Sequence, residues 1–204
     1  MPSHLTTRHT FVIAWLLAHL VSGAAAGMVE VRLEFLGTLI LAGIPVAMAQ
    51  GLYLRIQLPR ARLWALTLAV GWPVAHLLYT GSHSWPTFLV ATLTTLPFLW
   101  ELFWINFIRL SFVMLLVGMG QWLFTLRSYR RSPFWPMVSL LGGALLGGMN
   151  ATICRFSCDQ LNMVGGPLLV GTVLGALGWG TYALVTGPFL ANLLAGDTQY
   201  DTLL

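Results

Sequence analysis

A joint between two long apolar runs occurs twice in this chain. Residues 50–76 read QGLYLRIQLPRARLWALTLAVGWPVAH, and residues 121–147 read QWLFTLRSYRRSPFWPMVSLLGGALLG. An offset of 71 residues carries Gln50 onto Gln121, Trp64 onto Trp135 and Gly71 onto Gly142. In both copies a glutamine closes an apolar run, arginines fill a short link, and a tryptophan opens the return run. Repetition at a fixed period dictates architecture before any single residue does, and here the repeated unit is a helical hairpin. The chain is 57% hydrophobic and only 8% charged, whereas a soluble domain carries about 25% charged residues. Such a chain cannot cover itself with water-facing groups, so the hairpins belong in a bilayer.

The cations fix the expected topology. All are arginine, and most sit in the two joints: Arg55, Arg60 and Arg62 in the first, Arg127, Arg130 and Arg131 in the second. Arginines confined to short links obey the positive-inside rule and do not make a nucleic-acid surface. The expectation is an all-α integral membrane protein, one domain over 1–204. Its six transmembrane helices fall at about 10–29, 35–54, 63–79, 98–126, 135–153 and 167–186, forming three hairpin-like repeats (about 10–54, 63–126 and 135–186). Arg8, both clusters and both termini then lie on the cytoplasmic side. Arg32, Arg109 and Arg155 fall one per link on the other side. Residues 85–97 are expected to re-enter or lie at the interface, because a seventh crossing would put the two clusters on opposite faces. Trp85, Trp100 and Trp104 suit an interfacial aromatic belt. The first run also has the make-up of a secretory leader. However, Trp15, Ala18, His19 and Leu20 recur as Trp72, Ala75, His76 and Leu77 at an offset of 57, which favours a retained helix.

Several residues invite functional readings. Small-xxx-small stripes at Gly23/Gly27, Gly143/Gly147 and Gly171/Gly175 allow close backbone approach in lipid, within the chain or against a partner helix. His19 and His76 share one depth, about 21 Å along their helices from the arginine-rich side at 1.5 Å per residue. Equal depth suits axial ligation of haem or chlorophyll, and a hydrogen bond to a neighbouring helix would explain the same histidines without a cofactor. Gln50 and Gln121, with the six joint arginines, are candidates to hold lipid headgroups. Gln50 and Gln121 can equally bridge helices. Cys154 and Cys158 lack the further ligands a zinc site needs; a disulfide between them is possible, although four-residue spacing along a helix is awkward for a bridge.

Enzyme signatures are missing. His83 has no acidic residue close in sequence to orient it, the Gly-x-Ser-Gly of the rhomboid proteases is absent, and Glu30 and Glu34 fall in an expected link rather than at mid-membrane. The Gln-Trp-Leu-x-x-Leu-Arg helix end with its tryptophan-led return resembles a loose group of bacterial polytopic membrane proteins of cyanobacterial and filamentous-phototroph type. The resemblance covers roughly 37–74 and 112–148. It implies an inner or thylakoid membrane location and no activity. Together these features lead to the expectation of a non-enzymatic accessory or assembly subunit of a larger membrane complex, with a membrane-protein partner. A haem or chlorophyll protein, and a small-solute or lipid facilitator, stand as alternatives.

Overall fold

The computed structural model describes residues 4–82, 84–95, 100–129 and 131–197. Among these the chain is all-helical, without strands. Helix α1 is His4–Leu36, with a kink where Glu34 takes φ 46°. A π turn over Gly37–Leu41 leads into α2, Gly43–Leu54. Pro45 lies in the first turn of α2, where its missing N–H has no intrahelical acceptor to lose. After the first arginine joint come α3, Ala61–Gly81, and a short α4, Ser84–Leu93. Helix α5, Glu101–Gln121, ends in a π turn over Trp122–Leu126. The last element, α6, runs from Trp135 to Asp197 and leaves helical geometry at Gly166 (φ 67°), just before Pro167.

The two parts of α6 fold back on each other about that glycine. Gly142 faces Tyr182 and Thr186, and Gly178 faces Asn150, so residues meet in opposite order. Only a residue without Cβ adopts positive φ at no steric cost, and proline after it cannot continue the preceding helix. The same antiparallel order joins α2 to α3 (Gly43 at Trp72, Gly51 at Ala65) and α3 to α5 (Gly71 at Val117, Gly120 at Thr67).

Glycine stripes make the closest contacts. Gly23 and Gly27 of α1 lie against Gly175 and Gly171 of the second part of α6. Gly143 meets Leu110 and Met114, and Gly147 meets the backbone at Asn106. All three stripes are therefore occupied within the chain, as expected where backbone proximity replaces a hydrophobic drive. Trp15, Trp64 and Trp135, each fully buried, anchor the core at the arginine-rich end. Trp72, Val113, Met114, Trp179 and Tyr182 fill the other half.

Four helices are long and apolar enough to cross a membrane: Arg8–Glu34, Ala61–Gly81, Glu101–Leu126 and Ser132–Ala195. Helix α4 has ten residues, about 15 Å of rise, which is too short to cross a hydrocarbon core of about 30 Å. Tyr79, Trp85 and Phe112 hold it against α3 and α5; residues 96 and 97 of the expected 85–97 segment lie outside the described residues, as does His83.

Three expectations are corrected. The tract around Cys154 and Cys158 is not a link: α6 continues through it to Gly166, because a polar stretch without glycine or proline keeps its backbone hydrogen bonds by remaining helical. The final helix passes Pro188 and continues to Asp197. Glu30 and Arg32 belong to α1, and Arg109 lies well inside α5.

Candidate functional site

Each joint is closed by a hydrogen bond between its tryptophan and its glutamine amide. In the first copy the Trp64 indole N–H donates to Gln50 Oε1 at 2.7 Å. That contact orients the amide, so its Nε2 faces His19 Nε2 at 2.9 Å. In the second copy Trp135 donates to Gln121 Oε1 at 3.0 Å. Trp64 and Trp135 then contact each other at 5.0 Å between ring centroids, joining the two copies. Both glutamines are buried. They face tryptophans rather than headgroups, which corrects the headgroup assignment for Gln50 and Gln121. The copies differ in one respect: Gln121 Nε2 is buried without a hydrogen-bond partner.

The histidines take one tautomer. His19 Nδ1 donates to the Trp15 carbonyl at 2.8 Å, and His76 Nδ1 donates to the Trp72 carbonyl at 3.1 Å. A carbonyl only accepts, so in each neutral ring the proton sits on Nδ1 and Nε2 carries a lone pair. His19 uses that lone pair for Gln50, while His76 Nε2 has no partner. The space between the two rings is filled. Trp179 lies 6.2 Å from His19, Trp72 lies 5.5 Å from Trp179, and His76 lies 4.7 Å from Trp72. This stack leaves no slot for a macrocycle, and a peripheral pigment cannot reach imidazoles that are 1% and 2% exposed. The expected axial ligands therefore do not fit haem or chlorophyll. The ultraviolet–visible spectrum of protein purified from its native membrane is expected to show tryptophan and tyrosine absorption alone. A Soret or red band that disappears in His76→Ala would overturn this.

A polar interior site lies elsewhere, at residues that spacing did not single out. A cavity of about 50 Å³ is lined by Glu30 of α1, Trp72 of α3, Asn106 and Arg109 of α5, and Asn150 and Trp179 from the two parts of α6. Arg109 extends one N–H to Asn106 Oδ1 at 3.4 Å. Its Nε is buried without a partner, and so is Asn150 Oδ1. An unpaired buried polar group costs about 1–3 kcal/mol, so a small hydrogen-bonding molecule that met both this donor and this acceptor would be stabilised there. The volume accommodates one or two waters at roughly 30 Å³ each. Counting 1.5 Å per residue from the arginine-rich end, the lining polar groups sit roughly 22–33 Å along their helices, towards the far edge of a core about 30 Å thick. The sequence held one signal for this site: Asn106 and Arg109 are three apart on a helix and so share a face.

The remaining candidates separate clearly. Arg55, Arg60, Arg62, Arg127 and Arg131 are exposed at the joints, and Arg130 lies outside the described residues. Arg155 lies over the Trp100 ring, 4.5 Å from its centroid. Cys154 and Cys158 are bridged, with Cα atoms 4.5 Å apart. No group of three or more potential metal ligands occurs among the described residues. No protein-family model matches the chain, and no curated protein or solved structure matches it either.

Proposed function

We propose that this is a polytopic membrane protein with six crossings that admits a small, neutral, hydrogen-bonding solute from the side opposite its arginine joints. The six crossings are the four long apolar helices with two refinements. Helix α2 and its preceding π turn supply one return crossing, and the break at Gly166 divides α6 into two. The observation that carries the solute reading is the cavity at Glu30, Asn106, Arg109 and Asn150, where Arg109 Nε and Asn150 Oδ1 are both unpartnered. One open donor beside one open acceptor complements water, urea or a similar neutral molecule better than an ion of either sign. Glu30 and Arg109 face the same cavity. His19, Ser22, Gln50, Gln121 and Thr125 are further buried polar groups towards the arginine-rich end. Ionisable groups at membrane depth are a functional hypothesis by default.

The test is stopped-flow light scattering on proteoliposomes under water and urea gradients. Permeability several-fold above protein-free liposomes is expected, with at least a fivefold loss in Asn150→Leu and in Arg109→Gln. Traces that match empty liposomes for both probes would end the proposal. The topology is checked separately with single cysteines at 57 and 129, placed in a background without Cys154 and Cys158. Both should label from the same side of sealed vesicles; labelling from opposite sides would refute the six-crossing arrangement.

A second reading, the accessory subunit, is favoured by one observation. Near the turn of α6, Phe156, Met163 and Val164 are 67%, 80% and 83% exposed, and residues 135–165 rise about 46 Å, more than a core of about 30 Å. Exposed apolar side chains at a tip beyond the lipid suit a protein partner. The glycine stripes no longer support that reading, since they pack within the chain. A photo-crosslinking residue at 163 should capture a defined partner in native membranes; capture of lipid alone would remove the accessory reading.

A further inference from the structure

The arginine-rich end carries a second feature, independent of the polar cavity. Between the first joint and the end of α5 lies a mouth of about 690 Å³, lined by Arg60, Arg127, Thr125, Ser128 and Tyr129. Directly along the α3–α5 seam runs an apolar groove of about 390 Å³, lined by Leu66, Val70, Val74 and Leu116. The two share Leu63 and Phe124 and therefore adjoin. The groove exists because two residues at the seam lack side chains: Gly120 faces Thr67, and Gly71 faces Val117. From Leu63 to Val74 it extends about 16 Å at 1.5 Å per residue, close to half of a hydrocarbon core of about 30 Å.

We propose that this mouth and groove bind one anionic phospholipid from the arginine-rich leaflet. Its phosphate would lie between Arg60 and Arg127 and one acyl chain along the seam. Three observations converge on that occupant. Among the described residues the mouth is lined by two guanidiniums and no carboxylate. The groove below it is apolar and one leaflet long. The polar and apolar parts are joined in the order in which a lipid presents headgroup and tail. Arg60 donates one N–H to the Phe124 carbonyl at 3.5 Å. A guanidinium has five N–H donors, so the others are available, and a planar fork suits phosphate oxygens. Arg55 and Arg62 contribute the same charge to this face without lining the mouth, which separates a built site from general attraction.

The experiment is native mass spectrometry of the full-length protein, delipidated and then reloaded with phosphatidylglycerol or phosphatidylcholine. The wild type should retain one phosphatidylglycerol, at least fivefold more than phosphatidylcholine, and inorganic phosphate should not displace it. Arg60→Gln with Arg127→Gln should reduce phosphatidylglycerol retention at least fivefold, whereas Arg55→Gln with Arg62→Gln should leave it within twofold. Val70→Trp, a lipid-facing change that fills the groove, should reduce retention of either lipid with helicity unchanged by circular dichroism. Equal loss in the two arginine pairs would overturn the site in favour of diffuse electrostatics. Equal retention of the two lipids, or full retention in Arg60→Gln/Arg127→Gln, would overturn it outright.

Discussion

Gly27→Leu should be among the most destabilising single substitutions in this protein, costing about 3 kcal/mol or more. A Cβ on Gly27 would be driven into the Gly171 carbonyl, and a Cβ on Gly171 into the Gly27 carbonyl. Overpacking normally costs about 1–3 kcal/mol when side chains can rotate away; here the obstacle is backbone, so α1 must separate from the second part of α6. That separation would open the seam that also holds Gly23 against Gly175 and Trp15 Nε1 against Thr186 Oγ1 at 3.1 Å. The measurement is the unfolding midpoint in mild detergent, with Gly81→Leu as the comparison, because a Cβ on Gly81 meets nothing within 4 Å. A midpoint for Gly27→Leu equal to that of Gly81→Leu would show that the α1–α6 seam is not tightly packed.

The second large effect is an inequality between repeated positions. Gln50→Leu leaves Trp64 Nε1 and His19 Nε2 buried without their shared partner. At about 1–3 kcal/mol per orphaned group, the expected loss is roughly 2–6 kcal/mol. Gln121→Leu orphans only Trp135 Nε1 and removes an amide nitrogen that had no partner. Those changes oppose each other, so the net effect should stay within about 1 kcal/mol. Equilibrium unfolding of the two variants under identical conditions decides it. Equal losses would mean that the His19 contact contributes nothing. The comparison reads the His19 contact together with the relief of the unpartnered Gln121 Nε2, because the glutamine, the tryptophan and their spacing are common to both joints.

The parts of this structure legible in the sequence were those that recur or keep a helical period. The Gln–Trp joints aligned at one offset, and the glycine stripes announced themselves by four-residue spacing; both proved to be contacts within the chain. The polar cavity was not legible in the same way. Glu30, Arg109 and Asn150 come from three helices and meet only through tertiary packing, and no local pattern links them. Glu30 and Arg109 also resembled topology markers, since charges near the ends of apolar runs usually mark links. The tract around Cys154 misled for a related reason: arginine, aspartate and cysteine suggest a loop by composition, yet the strong breakers, Gly166 and Pro167, lie several residues later. The ring stack that separates His19 from His76 depends on Trp179, distant in sequence from either histidine.

The turn at Gly166 bears on how the protein would enter a membrane. Under the six-crossing arrangement, the two parts of α6 are joined by helix rather than by a polar loop, and between Trp135 and Asp197 the only charges are Arg155 and Asp159. Moving a charged residue through the centre of a bilayer costs about 2.5–3.5 kcal/mol on insertion scales. This tip carries one charge of each sign, four residues apart, able to neutralise each other during passage. Under that proposed arrangement the segment would insert as a single hairpin, tip first, with its two arms paired.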